Sequence, residues 1–202
     1  MGVVPHLAGS VQLIVVRHGQ STWNQDRRWA GQADPPLTQL GRDQAAELAL
    51  SCRAAGIGAV LCSDLSRARE TAAIVARTLQ LGEPIESPDL RERWSRTLTG
   101  LTADEIEATF PGALSAWRDG SSTKLPGDSE AFDPFAVRVR RGLETAAGLA
   151  PVVLAVAHAG VLRALAELTG TPTEPRPANT TGRRFVLDAG RLRDNGPAFA
   201  TP

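Results

Sequence analysis

Three apolar runs in this chain end in residues that a plain turn would not choose. Residues 11–16 run into Arg17-His18-Gly19, residues 59–62 into Ser63-Asp64-Leu65-Ser66-Arg67, and residues 152–157 into His158-Ala159-Gly160. Turns are ordinarily built from Gly, Asn, Asp, Ser or Pro, so Arg and His at such seams point to chemistry. Two imidazoles and two guanidiniums suit a phosphoryl group. A neutral imidazole attacks phosphorus in line, while arginine forks neutralise and orient the equatorial oxygens. One ring is then the nucleophile and the other a donor to a phosphate oxygen, and the helix N-termini that follow the seams, Ala159 among them, add main-chain N–H groups. The missing part is a proton donor for the leaving alcohol. Glu92, in Leu90-Arg91-Glu92-Arg93 after an extended stretch over 84–90, fills that role: its acid form protonates the ester oxygen and its carboxylate then activates water. This scheme needs neither metal nor cofactor.

The elements that must position these residues are readable from pattern. The three runs are short, continuous in apolar residues and rich in Val, Ile or Leu, as strands buried on both faces of a parallel sheet are. Between them the periodicity predicts helices over 40–55, stopped at Gly56, and 66–81, stopped at Gly82. Thr102 with Glu105 is a capping box opening a helix over 103–110, and Asp133-Pro134 offers an N-cap with proline at the first helical position for one over 134–150. A last helix over 161–169 closes at Gly170, and residues 185–187 and those after them read as edge strands. The alternation predicts a single α/β domain, a doubly wound, mostly parallel sheet flanked by helices on both faces. It extends over 11–202 after a flexible tail at 1–10, with an irregular insertion at 111–133. Ligands of such sheets bind at the carboxyl ends of the strands, where all three seams lie.

Composition narrows the partners. Among 202 residues, 22 basic side chains balance 22 acidic ones, so nothing global draws the chain to nucleic acid or to a membrane surface. No apolar stretch reaches the length of a membrane span and no signal peptide is seen at the N-terminus. Cys52 and Cys62 have neither metal-ligand spacing nor a disulfide framework and read as buried thiols of a cytoplasmic protein. The partner expected is a small phosphorylated substrate, with a homodimer left open.

The blocks RHGQSTWN, PPLTQLGRDQA, SDLSRARETA, LRE and AHAGVLRAL follow one another in an order and spacing that resembles the histidine phosphatase superfamily, the phosphoglycerate mutase-like proteins, from about Leu13 to Leu168. The resemblance implies that His18 is the nucleophile, that Arg17, Arg67 and His158 form the phosphate pocket, and that Glu92 is the acid and base. It also implies that Gln20, Ser21, Thr22 and Asn24 line the pocket. Arg67 and Arg69 follow the same strand two residues apart, so only one can face the pocket; the resemblance selects Arg67 and leaves Arg69 to solvent.

A phosphomonoesterase working through a phosphohistidine is therefore expected. A phosphoglycerate-type mutase is the first alternative, though members of that kind usually carry a longer insertion with paired arginines and a lysine, where this chain has Arg118 and Lys124 but no Arg-Arg pair before Asp133. The second is a catalytically weakened phospho-ligand-binding member. It is motivated by residues 93–100, which keep only the final Gly of the Gly-x-Trp-Glu-Gly block found in many relatives. Arg91, Arg93, Arg96 and Trp94 read as surface or packing residues, and Trp23 and Trp29 as packing for the first loop.

Overall fold

The first strand of the chain becomes a middle strand of the sheet, because its residues are apolar on both faces. The computed structural model describes residues 9–118, 122–172 and 177–199; the tail expected at 1–10 lies outside them except for Gly9 and Ser10. Strands β1 (Val11–Arg17), β2 (Ala59–Cys62), β3 (Ile85–Glu86), β4 (Val152–Ala157), β5 (Gly182–Asp188) and β6 (Arg191–Pro197) form one sheet in the order β3-β2-β4-β1-β5-β6. The four on the β3 side run parallel, while β5 and β6 are antiparallel additions.

Alternate residues of β1 feed two cores. Leu13 and Val15 face α6 (Phe132–Glu144) and α7 (Ala159–Thr169), packing with Phe135, Val139 and Leu165. Ile14 and Val16 face α2 (Gln39–Cys52) and α3 (Ser66–Thr78), packing with Leu48, Ala72 and Val75. Side chains alternate across a strand, so two covered faces require the unbroken apolar run. The sheet is thus doubly wound, mostly parallel and a single domain.

A third, smaller cluster of Leu98, Ile106 and Leu114 holds together the segment that crosses above the sheet's carboxyl edge. It includes α4 (Ala103–Thr109), which opens with the Thr102–Glu105 capping box expected from sequence. The region at 111–133 is less irregular than expected: it contains α5 (Ala113–Arg118), and α6 starts inside it at Phe132.

Several boundaries differ from expectation. Ala131, not Asp133, precedes α6, so Asp133 is a first-turn acid and Pro134 the third helical residue; a proline is tolerated anywhere in the first turn, where no N–H is needed. Beyond α3 the left-handed turn falls at Gln80, with φ 56°, rather than at Gly82. The stretch at 84–90 contributes only the two-residue β3 and a 3-10 turn at Pro88–Leu90. Residues 185–187 are not an edge: β5 lies between β1 and β6, with Phe185 opposite Leu13 and buried. Gly170 closes α7 in the left-handed conformation, φ 67°, as expected.

Candidate active site

His18 leaves the end of β1 and its ring is held by its own loop. Nδ1 lies 2.6 Å from the Gly19 carbonyl. A carbonyl only accepts, so Nδ1 carries the proton and Nε2 the lone pair. Arg67, from the first turn of α3, donates its Nε–H to that Nε2 at 3.2 Å. The Arg67 guanidinium is itself positioned by the carbonyls of Ala33 (2.8 Å) and Gly31 (2.9 Å). That uses one proton on each terminal nitrogen and leaves another on each for a ligand. Arg17, the last residue of β1, is held by the Pro177 carbonyl at 2.8 Å.

His158 ends β4 and stands at the N-cap of α7 without capping it, its backbone still extended at φ −131°, ψ 167°. Its ring meets His18 edge to face, centroids 5.1 Å apart. His158 is fully buried, and neither of its ring nitrogens has a hydrogen-bond partner among the described residues. Burial, first, and then the nearby arginines, Arg67 foremost, hold both imidazoles well below their ordinary pKa. Both rings are neutral at pH 7.

Glu92 reaches the same place from the loop after the 3-10 turn. Its carboxylate accepts from the N–H of Arg93 at 2.7 Å and from the N–H of Gly160, in the first turn of α7, at 3.1 Å. A Cβ on Gly160 would overlap the carboxylate, so glycine is what allows the approach. The loop bearing Glu92 is gripped by Arg138 of α6. That guanidinium donates to the carbonyls of Asp89 (2.9 Å), Arg91 (2.7 Å) and Glu92 (3.0 Å), and to both carboxylate oxygens of Glu130 at 2.7 and 2.8 Å. All five of its protons are engaged.

The first loop is fixed by close backbone packing. Gly19 and Gly41 approach so nearly that a Cβ on either would overlap the other segment, which accounts for the glycine in PPLTQLGRDQA. Asn179 ties the far side, donating to the His18 carbonyl at 2.8 Å and to Asn24 Oδ1 at 3.3 Å.

Arg17, His18, Arg67 and Glu92 form one end of a cavity of about 470 Å³, which Asn24 and Ala159 also line. Gln20, Ser21 and Thr22, expected in the lining, are not in it. Gln20 turns to Thr38, whose hydroxyl donates to its Oε1 at 2.9 Å, Ser21 caps the short helix α1 (Thr22–Gln25), and Thr22 begins that helix. His158 lies behind His18 and outside the lining. Arg69 faces solvent beside Glu86. Arg93, expected as a surface or packing residue, is buried in the cavity wall, where it donates to the carbonyls of Glu130 and Thr123 at 2.7 Å each. Trp29 also lines the cavity, edge to face with Trp117.

Asn179, Arg138 and Arg163 were not singled out by sequence. Asn179 sits in a stretch of Asn, Thr and Gly that reads as an ordinary loop, and Arg138 sits in a run of arginines that reads as a solvated helix face. Arg163 lies within AHAGVLRAL, and its place in a helix otherwise apolar around it was the available signal.

Residues 13–182 match the sequence pattern of the histidine phosphatase superfamily, branch 1. The chain belongs to that family. Among histidine phosphatase relatives, it is 38% identical over 159 residues to the metal-independent phosphoserine phosphatase of Arabidopsis thaliana, covering 76% of this chain and 66% of that protein. It is 34% identical over 161 residues to phosphoglycerate mutase-like protein 4 of the same plant, covering 77% and 70%. The chain thus spans about two thirds of the length of these curated relatives. The solved structure of a mycobacterial glucosyl-3-phosphoglycerate phosphatase superposes with a TM-score of 0.81 at 28% identity, over 95% of this chain and all of that one.

Proposed function

We propose that this histidine phosphatase hydrolyses phosphomonoesters of small metabolites through a phosphohistidine on His18. The observation that carries the reading is the tethered imidazole, whose Nδ1–H is taken by Gly19 while the Nε2 lone pair accepts the Arg67 Nε–H at the end of the cavity, a donor that an equatorial phosphate oxygen takes over as the lone pair turns to phosphorus. A neutral ring held in one tautomer needs no deprotonation before attack. The relatives named as phosphatases of phosphoserine and of glucosyl-3-phosphoglycerate support a hydrolytic outcome.

In the first half-reaction Nε2 bonds to phosphorus, the ester P–O bond breaks on the opposite side, and the proton of Glu92 passes to the departing alkoxide. Arg17 and Arg67 hold the equatorial oxygens as charge shifts. His158, whose buried ring nitrogens lack partners, donates to one of them; leaving such a donor unmade costs about 1–3 kcal/mol. In the second half-reaction a water oxygen bonds to phosphorus, its proton returns to Glu92, and the P–N bond breaks to release inorganic phosphate and neutral His18. The buried free thiols of Cys52 and Cys62 suit the reducing cytoplasm.

Rapid quench with phosphate-labelled ester tests the reading. An acid-labile, base-stable label on the protein is expected, absent from His18→Ala; phosphate release without a labelled protein in the first turnover overturns it.

The buried Arg93 and Arg163 in the wall, together with the mutase-like relative, favour a second reading in which the phosphoryl group passes to another hydroxyl. Incubation with a phosphoglycerate separates the two, by positional isomer or by free phosphate.

A further inference from the structure

The cavity is much larger than a phosphate needs: about 470 Å³ lies within the range that holds a whole drug-sized ligand. Away from the histidine end its surface is made largely by Trp29, Leu101, Trp117, Leu125 and Phe132. All five are only half-buried, so each keeps apolar surface that the described residues leave uncovered. Removing such surface from water is the main favourable contribution to apolar binding.

The backs of these side chains are fixed. Trp29, Leu101 and Leu125 rest on the small core of Leu98, Ile106 and Leu114, and Phe132 rests on the sheet core that includes Phe135. Trp117 meets Trp29 edge to face, ring centroids 5.4 Å apart. A wall backed by two cores is already in shape before a ligand arrives, so little ordering opposes binding.

The charged groups of the cavity have other work. Arg17, Arg67 and Glu92 belong to the phosphate end. Arg28 donates to the Gly100 carbonyl at 2.7 Å, and Arg93 to the carbonyls of Glu130 and Thr123. Arg163 is engaged within the protein and lies over the Trp117 ring, 4.4 Å from its centroid, and Arg27 is exposed to water. Hydroxyls or an ammonium placed against this wall would exchange water for Leu, Phe and Trp side chains, a loss that a hydrocarbon does not suffer.

We propose that the alcohol portion of the substrate is a bulky, ring-bearing hydrocarbon without charge or hydroxyls, seated against Leu101, Trp117, Leu125 and Phe132 while the phosphate lies at His18. This rests on the phosphomonoesterase reading above. It sets the chain apart from the relatives named for phosphoserine and glucosyl-3-phosphoglycerate.

Esters with a common CH2–O–P linkage test this on the wild-type enzyme: ethyl, cyclohexylmethyl and benzyl phosphate against phosphoserine and glucose 6-phosphate. The expected kcat/KM rises roughly ten- to hundredfold from ethyl to either ring-bearing ester, through burial of the ring, and both polar esters fall below the ring-bearing ones. Trp117→Ala and Leu125→Asn should each cut the benzyl-to-ethyl ratio by roughly three- to tenfold; a ratio taken within one variant is independent of how much of that variant is folded. A wild-type ratio short of about tenfold, a polar ester outrunning both ring-bearing ones, or a ratio that survives both substitutions overturns the proposal. If no ester releases phosphate in a His18-dependent way, the phosphomonoesterase reading itself fails instead.

Discussion

The guanidinium of Arg138 donates to the main-chain carbonyl of Glu92 at 3.0 Å while chelating the Glu130 carboxylate. A helix residue thereby sets the path of the loop that carries the proposed acid. Both partners are largely buried, their side chains 15% and 9% exposed. Arg138→Ala leaves the buried Glu130 carboxylate with the Trp94 N–H at 3.3 Å and takes a donor from three carbonyls, of which that of Glu92 keeps Gln32 Nε2 at 3.0 Å, and its unfolding free energy should fall by about 3–5 kcal/mol, read by urea denaturation. Arg138→Lys, which keeps the charge but not the fork, should fold and show a lower kcat with a smaller change in KM.

Glu92→Gln separates acid catalysis from binding. Alkyl phosphates, whose leaving groups need a proton, should slow by roughly 10²–10⁴; aryl phosphates with activated leaving groups should slow far less in the half-reaction that forms the phosphoenzyme. Equal losses on both in single-turnover quench experiments would remove Glu92 from the role.

Two glycines that look alike in sequence should fail differently. At Gly160 an added Cβ meets the far end of the Glu92 side chain, whereas at Gly41 it meets the Gln20 main chain. Gly160→Ala is expected to lose most activity with little change in melting temperature, because the carboxylate swings aside. Gly41→Ala is expected to lose stability by about 1–3 kcal/mol, the cost of overpacking, since backbone must move.

Stability should fall in mild acid. Burial, and then Arg67 and its neighbours, depress the folded pKa of His18 and His158 below the unfolded value near 6.5. The unfolded chain therefore takes up protons first as pH drops through about 6.5. Above that value stability is complete; below it each ring costs about 1.4 kcal/mol per pH unit until the folded ring titrates. Urea titrations between pH 5 and 8 should show this slope, reduced in His158→Asn.

The two thiols should be silent in the native protein. Burial pushes both Cys52 and Cys62 up to about 12, so a thiol reagent at pH 8 should label neither until denaturant is added, then both.

The parallel strands and most helices were legible because an apolar run and a 3.6-residue period are local properties of the chain. The seams Arg17-His18, Arg67, Glu92 and His158 were legible for the same reason: residue types at strand ends are visible one segment at a time. What a local pattern cannot carry is which distant polar groups share a partner. Gln20 reads as a pocket residue until Thr38, 18 positions away, takes its side chain. Arg93 reads as either a surface or a packing residue until carbonyls at 123 and 130 enclose it, and Arg138 as a solvated helix residue until it meets a loop 46 positions earlier. By itself the sequence determined the sheet, the seams and the kind of group they attract. Only tertiary structure decided which atom of His18 is presented, what holds Glu92, and that the wall beyond them is apolar and cationic, because those properties come from contacts between segments far apart in the chain.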